Sequence, residues 1–233
     1  MSELRPPEGA LISPRARAAL DELELPLIVL VGGATGTGKS TVATEVAHRL
    51  GLTRVTSTDV IRQTMRAFFS REFMPSIHYS SFELGSVFPT DEREEAGDPT
   101  VLGFLEQTRN VLVGVRAVLQ RAIEEGYAIA LEGVHLVPGM IPALDGAVVC
   151  HCILAIEDEE VHAGHFWTRE TVSEGLRPFE KYLQALPEIR RIQRFMVERA
   201  RRVGVPVVEN SNVDDAVEEV VRLVVDAVER ARA

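Results

Sequence analysis

Leu27-Ile28-Val29-Leu30-Val31-Gly32-Gly33-Ala34-Thr35-Gly36-Thr37-Gly38-Lys39-Ser40-Thr41 is the stretch on which the fold turns. Its apolar opening, 27–31, is what a strand buried on both faces of a parallel sheet carries. Gly33, Gly38, Lys39 and Ser40 then match G-x-x-x-x-G-K-[ST], the phosphate-binding P-loop pattern. The chemistry needs those residue types. Oligophosphate oxygens must meet several backbone N–H groups at once, and glycine lets the chain curl close without a Cβ in the way. A helix starting at the end of the loop adds free N–H groups and the positive end of its dipole. The Lys39 ammonium can reach the β- and γ-phosphates, and the Ser40 hydroxyl can ligate magnesium. Val42, Val46, Ala47 and Leu50 continue at helical spacing, with Gly51 in the stop position. Gly33, Thr35, Gly36, Thr37, Gly38, Lys39, Ser40 and Thr41 are thus expected around bound ATP.

Outward from this loop the chain alternates strand and helix. A short leader, 1–24, carries an amphipathic pattern at 13–23. Residues 54–57 read as a second strand ending at Thr58-Asp59, and 60–72 as a helix carrying Arg62 and Arg66. Residues 73–98 are irregular, with Pro75, Gly85, Pro89, Gly97 and an acidic cluster at 91–95. A loop of that length in a compact domain usually has a function. Asp98-Pro99 opens a long helix as cap and first position, with an apolar stripe at Leu102, Leu105, Leu112, Val115, Leu119 and Ile123 and a stop at Gly126. Third, fourth and fifth strands are expected at 127–131, 147–156 and 205–208, and a last helix at 213–231. The pattern predicts an α/β fold: about five parallel strands with helices on both faces. Ligands then bind beyond the carboxyl ends of the strands. One domain, 25–233, follows, with 73–98 as an acceptor-binding insert and 157–202 as a lid and basic helix.

Composition narrows the function. With 45% apolar residues in 233, the chain can bury a core and is not disordered. The net charge of −10 argues against broad nucleic-acid binding. No apolar stretch is long enough to span a membrane, and 1–24 lacks a signal-peptide core; a cytoplasmic protein is expected. Cys150 and Cys152 flank His151 on a strand, so the cysteines face one side and the imidazole the other, and the three cannot share a metal ion. The basic residues comprise 23 Arg but only two Lys, Lys39 and Lys181. Since ammonium and guanidinium do different chemistry, both lysines are candidates for the site.

Two carboxylates complete a catalytic set. Asp59 follows the second strand and Glu132 the third, so both are expected near the P-loop. One can hold the magnesium shell while the other orients or deprotonates an attacking hydroxyl. Asp59 is assigned to the acceptor and Glu132 to magnesium, though either division fits, and Asp59 also suits a helix cap. Arg62 and Arg66, one turn apart, form a face for an anionic acceptor. His78 and His135 are further substrate-binding candidates. Residues 180–202 hold seven basic and three acidic residues in an acidic chain. Arg169, Arg177 and Lys181 flank Glu174-Gly175-Leu176-Arg177-Pro178, which can hinge as a lid and exclude water.

Together these stretches resemble the 2-phosphoglycerate kinase family. The resemblance rests on Gly32-Gly33, Gly38-Lys39-Ser40-Thr41, Ser57-Thr58-Asp59-Val60-Ile61-Arg62, Met65-Arg66 and His78-Tyr79-Ser80-Ser81. It continues through Glu132-Gly133-Val134-His135-Leu136-Val137-Pro138-Gly139, Arg177-Pro178-Phe179-Glu180-Lys181-Tyr182-Leu183 and Pro206-Val207-Val208-Glu209-Asn210. It implies a nucleoside-monophosphate-kinase-like core with a lid, and transfer of the ATP γ-phosphoryl to the 3-hydroxyl of 2-phosphoglycerate, giving 2,3-bisphosphoglycerate. By fold-level analogy, Asn210 borders the adenine. Some members carry an extra N-terminal nucleotide-sensing domain; with a short segment before the first strand, regulation through it is expected to be absent. His165 stands before Phe166 where the family commonly has a basic residue. The expected cofactors are ATP and Mg2+, and the partner a small phosphorylated substrate. Two alternatives stay open: a P-loop kinase for another phosphorylated hydroxy compound, and a nucleotide-binding regulator without turnover.

Overall fold

A computed structural model describes residues 20, 22–86, 97–172 and 179–232, with the side chains at 86 and 168–172 left out. The apolar run forms β1 (Leu27–Gly33), and helix α1 (Lys39–Leu50) follows the P-loop. Then come β2 (Val55–Ser57), α2 (Thr58–Phe68), two short 3-10 turns at Pro75–His78 and Leu84–Ser86, and the long α3 (Pro99–Glu124). Strands β3 (Ile129–Gly133) and β4 (Val148–Ala155) lead to α4 (Glu159–Val172), α5 (Phe179–Gln184) and α6 (Leu186–Val203). Strand β5 (Val207–Glu209) and helix α7 (Val213–Arg232) end the fold.

All strand pairings are parallel, in the order β2-β3-β1-β4-β5. The central β1 shows why its sequence is apolar throughout. Leu27, Val29 and Val31 face a core built with α1 and α7, while Ile28 and Leu30 face one built with α2 and α3. A third cluster joins Ile153 to Phe104 of α3, Phe166 of α4 and the Ile189, Ile192 and Met196 face of α6. Both sheet faces are therefore covered, as the alternation requires. Among the described residues no helix is long and apolar enough to cross a membrane.

Several local expectations shift. Helix α2 begins earlier than 60 because Ser57, not Asp59, caps it: the Ser57 hydroxyl accepts from Val60 N at 3.1 Å. Glu132 lies inside β3 rather than after it, paired in register with Val31 and Ser57. Asp98 caps α3 as expected, accepting from Thr100 N at 2.9 Å. Its apolar stripe holds at Leu112, Val115 and Leu119, but the buried face of the first half runs through Phe104, Gln107, Thr108 and Val111, not Leu102 and Leu105. The tertiary partners of that half are the 3-10 turns and a polar site, which turn the helix. Cys150 and Cys152 point into the α1–α7 core, and burial pushes the Cys150 thiol up to about 12. His151 points the other way, its Nε2 3.2 Å from Leu136 O. Most of the predicted leader helix, the acidic cluster at 91–95, and the hinge at 174–178 lie outside the described residues.

Candidate active site

A cleft of about 290 Å3 opens at the carboxyl ends of the central strands. Thr35, Lys39 and Ser40 of the P-loop line one part of it, and Asp59, Arg62 and Gln63 of α2 another. Ser80, Ser81 and Phe82 form a further wall, with Glu132, Val134 and Tyr182 completing the lining. A larger cavity, about 530 Å3, lies beyond Phe82 and includes Lys181 and Arg191 but none of the P-loop. The smaller cleft is where the P-loop and the carboxylates of Asp59 and Glu132 meet.

The P-loop is held from within and from behind. Helix α1 starts at N-cap Gly38 with no side chain capping its first N–H groups, the arrangement an anion can exploit. The Thr37 hydroxyl, fully buried, donates to Ala34 O at 3.0 Å, and Lys39 Nζ donates to the same carbonyl at 2.6 Å. Asn210 is fully buried, its Nδ2 donating to Thr37 O at 2.8 Å. It stands behind the loop rather than at an open nucleotide-binding surface. Gly36, at φ +84°, lies under α4: a Cβ there would be 2.3 Å from the Phe166 ring. Thr41 is exposed on α1 and is not part of the cleft lining.

The Ser40 hydroxyl donates to Glu132 Oε1 at 3.0 Å. Hydroxyl and carboxylate from positions 92 residues apart thus present only oxygen ligands, a set that suits a hard cation such as Mg2+. Asp59 receives Arg62 Nε at 3.3 Å. Burial alone would raise its pKa, but the charges of Arg62 and Lys39 and the Arg62 hydrogen bond hold the carboxyl below its usual value. Because His135 is itself neutral at ordinary pH, Arg62 and Lys39 are the charges that act there.

Other predicted residues are brought close but given different work. Arg62 lines the cleft and also donates to Ile77 O at 2.9 Å and Tyr79 O at 3.0 Å, pinning the 3-10 turn. Arg66 is turned to Gln63 Oε1 at 3.0 Å and is not in the lining. His78 is bonded through Nε2 to Phe69 O at 2.9 Å, outside the cleft. His135 is fully buried behind Asp59, with Nδ1 2.8 Å from Thr58 Oγ1 and Nε2 3.1 Å from Gln107 Oε1. Burial, the largest cause, lowers its pKa to about 3, with Arg62 and Lys39 adding to the effect. Lys181 pairs with Glu83 at 2.8 Å across a half-exposed surface. Arg177 and the side chain of Arg169 lie outside the described residues.

Sequence reading missed what α4 and α5 do to the loop. His162 Nε2 donates to Thr35 O at 2.8 Å and His165 Nδ1 to Gly36 O at 3.0 Å. Burial lowers the His162 pKa to about 4, so its ring is neutral. Phe166 stacks on Tyr182 at 5.3 Å, and Tyr182 meets Phe82 edge-on at 5.8 Å. An aromatic row therefore runs from the P-loop to the opposite wall. Its signal was present as His162, His165 and Phe166 at helical spacing. Gln107 also escaped notice, although its spacing to Phe104, Val111 and Val115 puts a polar group on a buried stripe.

No family model matches the chain. It is 42% identical over 200 residues to a 2-phosphoglycerate kinase of Methanopyrus kandleri, covering 85% of this chain and 60% of that protein. It is 40% identical over 202 residues to a 2-phosphoglycerate kinase of Methanothermobacter thermautotrophicus, covering 84% and 65% respectively. The chain thus spans less than two thirds of the length of these curated relatives. Among solved structures, a shikimate kinase from Acinetobacter baumannii aligns over 90% of this chain and 97% of its own, at 16% identity and a TM-score of 0.47.

Proposed function

We propose that this chain, a homologue of the 2-phosphoglycerate kinases over about 85% of its length, is an ATP-dependent kinase that phosphorylates the 3-hydroxyl of 2-phosphoglycerate. The observation that carries this is the meeting of three elements in one cleft: Lys39 of the P-loop, the Ser40–Glu132 pair and the Asp59–Arg62 pair. In the reaction the bond between the γ-phosphorus and the β–γ bridging oxygen breaks and a bond from the acceptor oxygen to that phosphorus forms. ADP leaves with the bridging oxygen, and the product is 2,3-bisphosphoglycerate.

The chain's own groups divide the work. P-loop N–H groups and Lys39 hold the phosphates and offset the charge that moves to the β-phosphate. Asp59, ionised throughout the neutral range, accepts a hydrogen bond from the acceptor hydroxyl, orients it and takes its proton as the new bond forms. Arg62 supplies positive charge beside Asp59 for an acidic acceptor. Ser40 and Glu132 would hold Mg2+, which when bound neutralises phosphate oxygens. Tyr182 and Phe82 help keep water from the transferring group, and Arg169, Arg177 and Lys181 belong to the proposed lid. A cytoplasmic setting goes with this activity, since ATP is its phosphoryl donor.

The test is ADP release with ATP and Mg2+, with and without 2-phosphoglycerate, together with phosphorus NMR of the product. Acceptor-stimulated ADP release with 2,3-bisphosphoglycerate as product is expected. ATP binding without stimulation would instead favour a nucleotide-binding regulator, and stimulation only by another phosphorylated hydroxy compound would move the acceptor.

A further inference from the structure

Gln107 sits in the first half of α3 and is fully buried. A buried primary amide must satisfy two N–H donors and a carbonyl acceptor. Gln107 Nε2 donates to Ser76 O at 2.6 Å and to Tyr79 O at 3.0 Å. Both partners only accept, so the amide has one orientation, and its Oε1 faces His135 Nε2 at 3.1 Å. That nitrogen therefore carries the ring proton. Nδ1 of the neutral ring then accepts from the Thr58 hydroxyl at 2.8 Å. Thr58 opens α2, and the next residue is Asp59.

The other end of the amide governs the facing segment. Ser76 and Tyr79 lead directly into Ser80 and Ser81, which line the cleft with Asp59. Asn110, one turn along α3, donates to the Ser76 hydroxyl at 2.8 Å, and Arg62 reaches Tyr79 O from the α2 side at 3.0 Å. The segment is thus fastened from the core and from the cleft. Among the described residues, the Gln107 amide is the one group in this network bonded both to the 3-10 turn and to the imidazole behind Asp59.

We propose that Gln107 is a positioning residue for the acceptor: through His135 and Thr58 it orients the start of α2, which presents Asp59, and through Ser76 and Tyr79 it holds the wall carrying Ser80 and Ser81. One side chain thereby sets the spacing of two acceptor-binding elements while making no bond to the P-loop. The inference rests on the kinase function proposed above.

The prediction is a split between the two substrates. Gln107→Glu keeps the size and can still accept from His135, but it sets a carboxylate against two carbonyls. It should raise KM for 2-phosphoglycerate on the order of 10- to 100-fold and leave KM for ATP within about twofold, with cooperative unfolding retained. Gln107→Met, which adds no charge, carries the same measurement if the glutamate variant does not fold. Nitrogen NMR of the parent protein should show His135 as the Nε2–H tautomer. An Nδ1–H tautomer, or KM values for acceptor and ATP that rise together, would overturn the role of Gln107. A parent protein with no acceptor-stimulated turnover sinks the kinase function and this inference with it; normal parent turnover without the split sinks the inference alone.

Discussion

Gly133→Ala tests how closely β3 approaches α2. Gly133 has φ +153°, and a Cβ built there would lie 1.8 Å from Thr58 Oγ1, 2.7 Å from Thr58 Cβ and 2.8 Å from Thr58 Cγ2. Thr58 is fully buried and its hydroxyl is committed to His135, so the clash cannot be relieved by a swing into solvent. Either Thr58 retreats, breaking the bond to His135 and carrying Asp59 with it, or β3 retreats, drawing Glu132 away from Ser40. The backbone conformation costs an alanine about 1–3 kcal/mol and the overpacking about 1–3 kcal/mol more. A loss of about 2–6 kcal/mol is a large part of the roughly 5–15 kcal/mol that holds such a domain together. Urea unfolding with linear extrapolation measures it, and ADP release measures the effect on the site, where turnover should fall as well. The geometry also dictates what can rescue the variant. Adding Thr58→Ala removes Oγ1 and Cγ2 but leaves the 2.7 Å contact, so part of the stability should return. Adding Thr58→Ser keeps the 1.8 Å contact and should return almost none. Stability within about 0.5 kcal/mol of the parent, the range of a harmless surface change, or equal rescue by serine and alanine, would refute the close approach.

Other expectations are simpler. Lys39→Ala should lower turnover by at least 10²–10³-fold, on the order of a lost transition-state donor, with little change in the unfolding midpoint; retained turnover would remove the P-loop from the reaction. Asn210→Ala takes the donor from Thr37 O and should weaken ATP binding while costing about 1–3 kcal/mol of stability, read by ATP titration and urea unfolding; unchanged ATP affinity would mean the loop keeps its shape unaided. Acid should unfold the protein through its buried imidazoles. Burial lowers the pKa of His135 to about 3 and of His151 and His162 to about 4, so each stays neutral when folded but takes a proton when unfolded below about 6.5. Stability from these groups is full above that pH and falls as pH drops toward 4, with a slope approaching about 1.4 kcal/mol per pH unit for each ring. His151→Gln should remove one ring's share of that slope, and a flat stability profile between pH 6.5 and 4.5 would contradict the neutral rings.

Much of the scaffold was legible in the amino-acid order because its causes are local. An apolar run closed at once by glycines reads as a strand covered on both faces, and the glycines before Lys39 and Ser40 match the pattern of a loop that packs backbone against phosphate. Asp98 and Gly51 act on N–H and carbonyl groups within a turn of themselves. Strand–helix alternation then places Asp59 and Glu132 toward the carboxyl ends of the strands. Residue type alone could not tell which candidates face the cleft there. His78, His135 and Arg66 look as suited to an anion as Arg62 does, yet one is tied to Phe69 O, one is sealed behind Asp59, and one leans on Gln63. Their orientation depends on partners brought together by folding, as when His135 meets Thr58 across 77 positions. The same holds for His162 on Thr35 O across 127 positions and Asn210 on Thr37 O across 173. Local chemistry determined that the chain has a glycine-rich loop of P-loop pattern on a parallel sheet; only the packing of α3, α4 and β5 against that loop and its neighbours decided which polar groups face the cleft, because a buried donor or acceptor takes whatever partner the tertiary fold brings within about 3 Å.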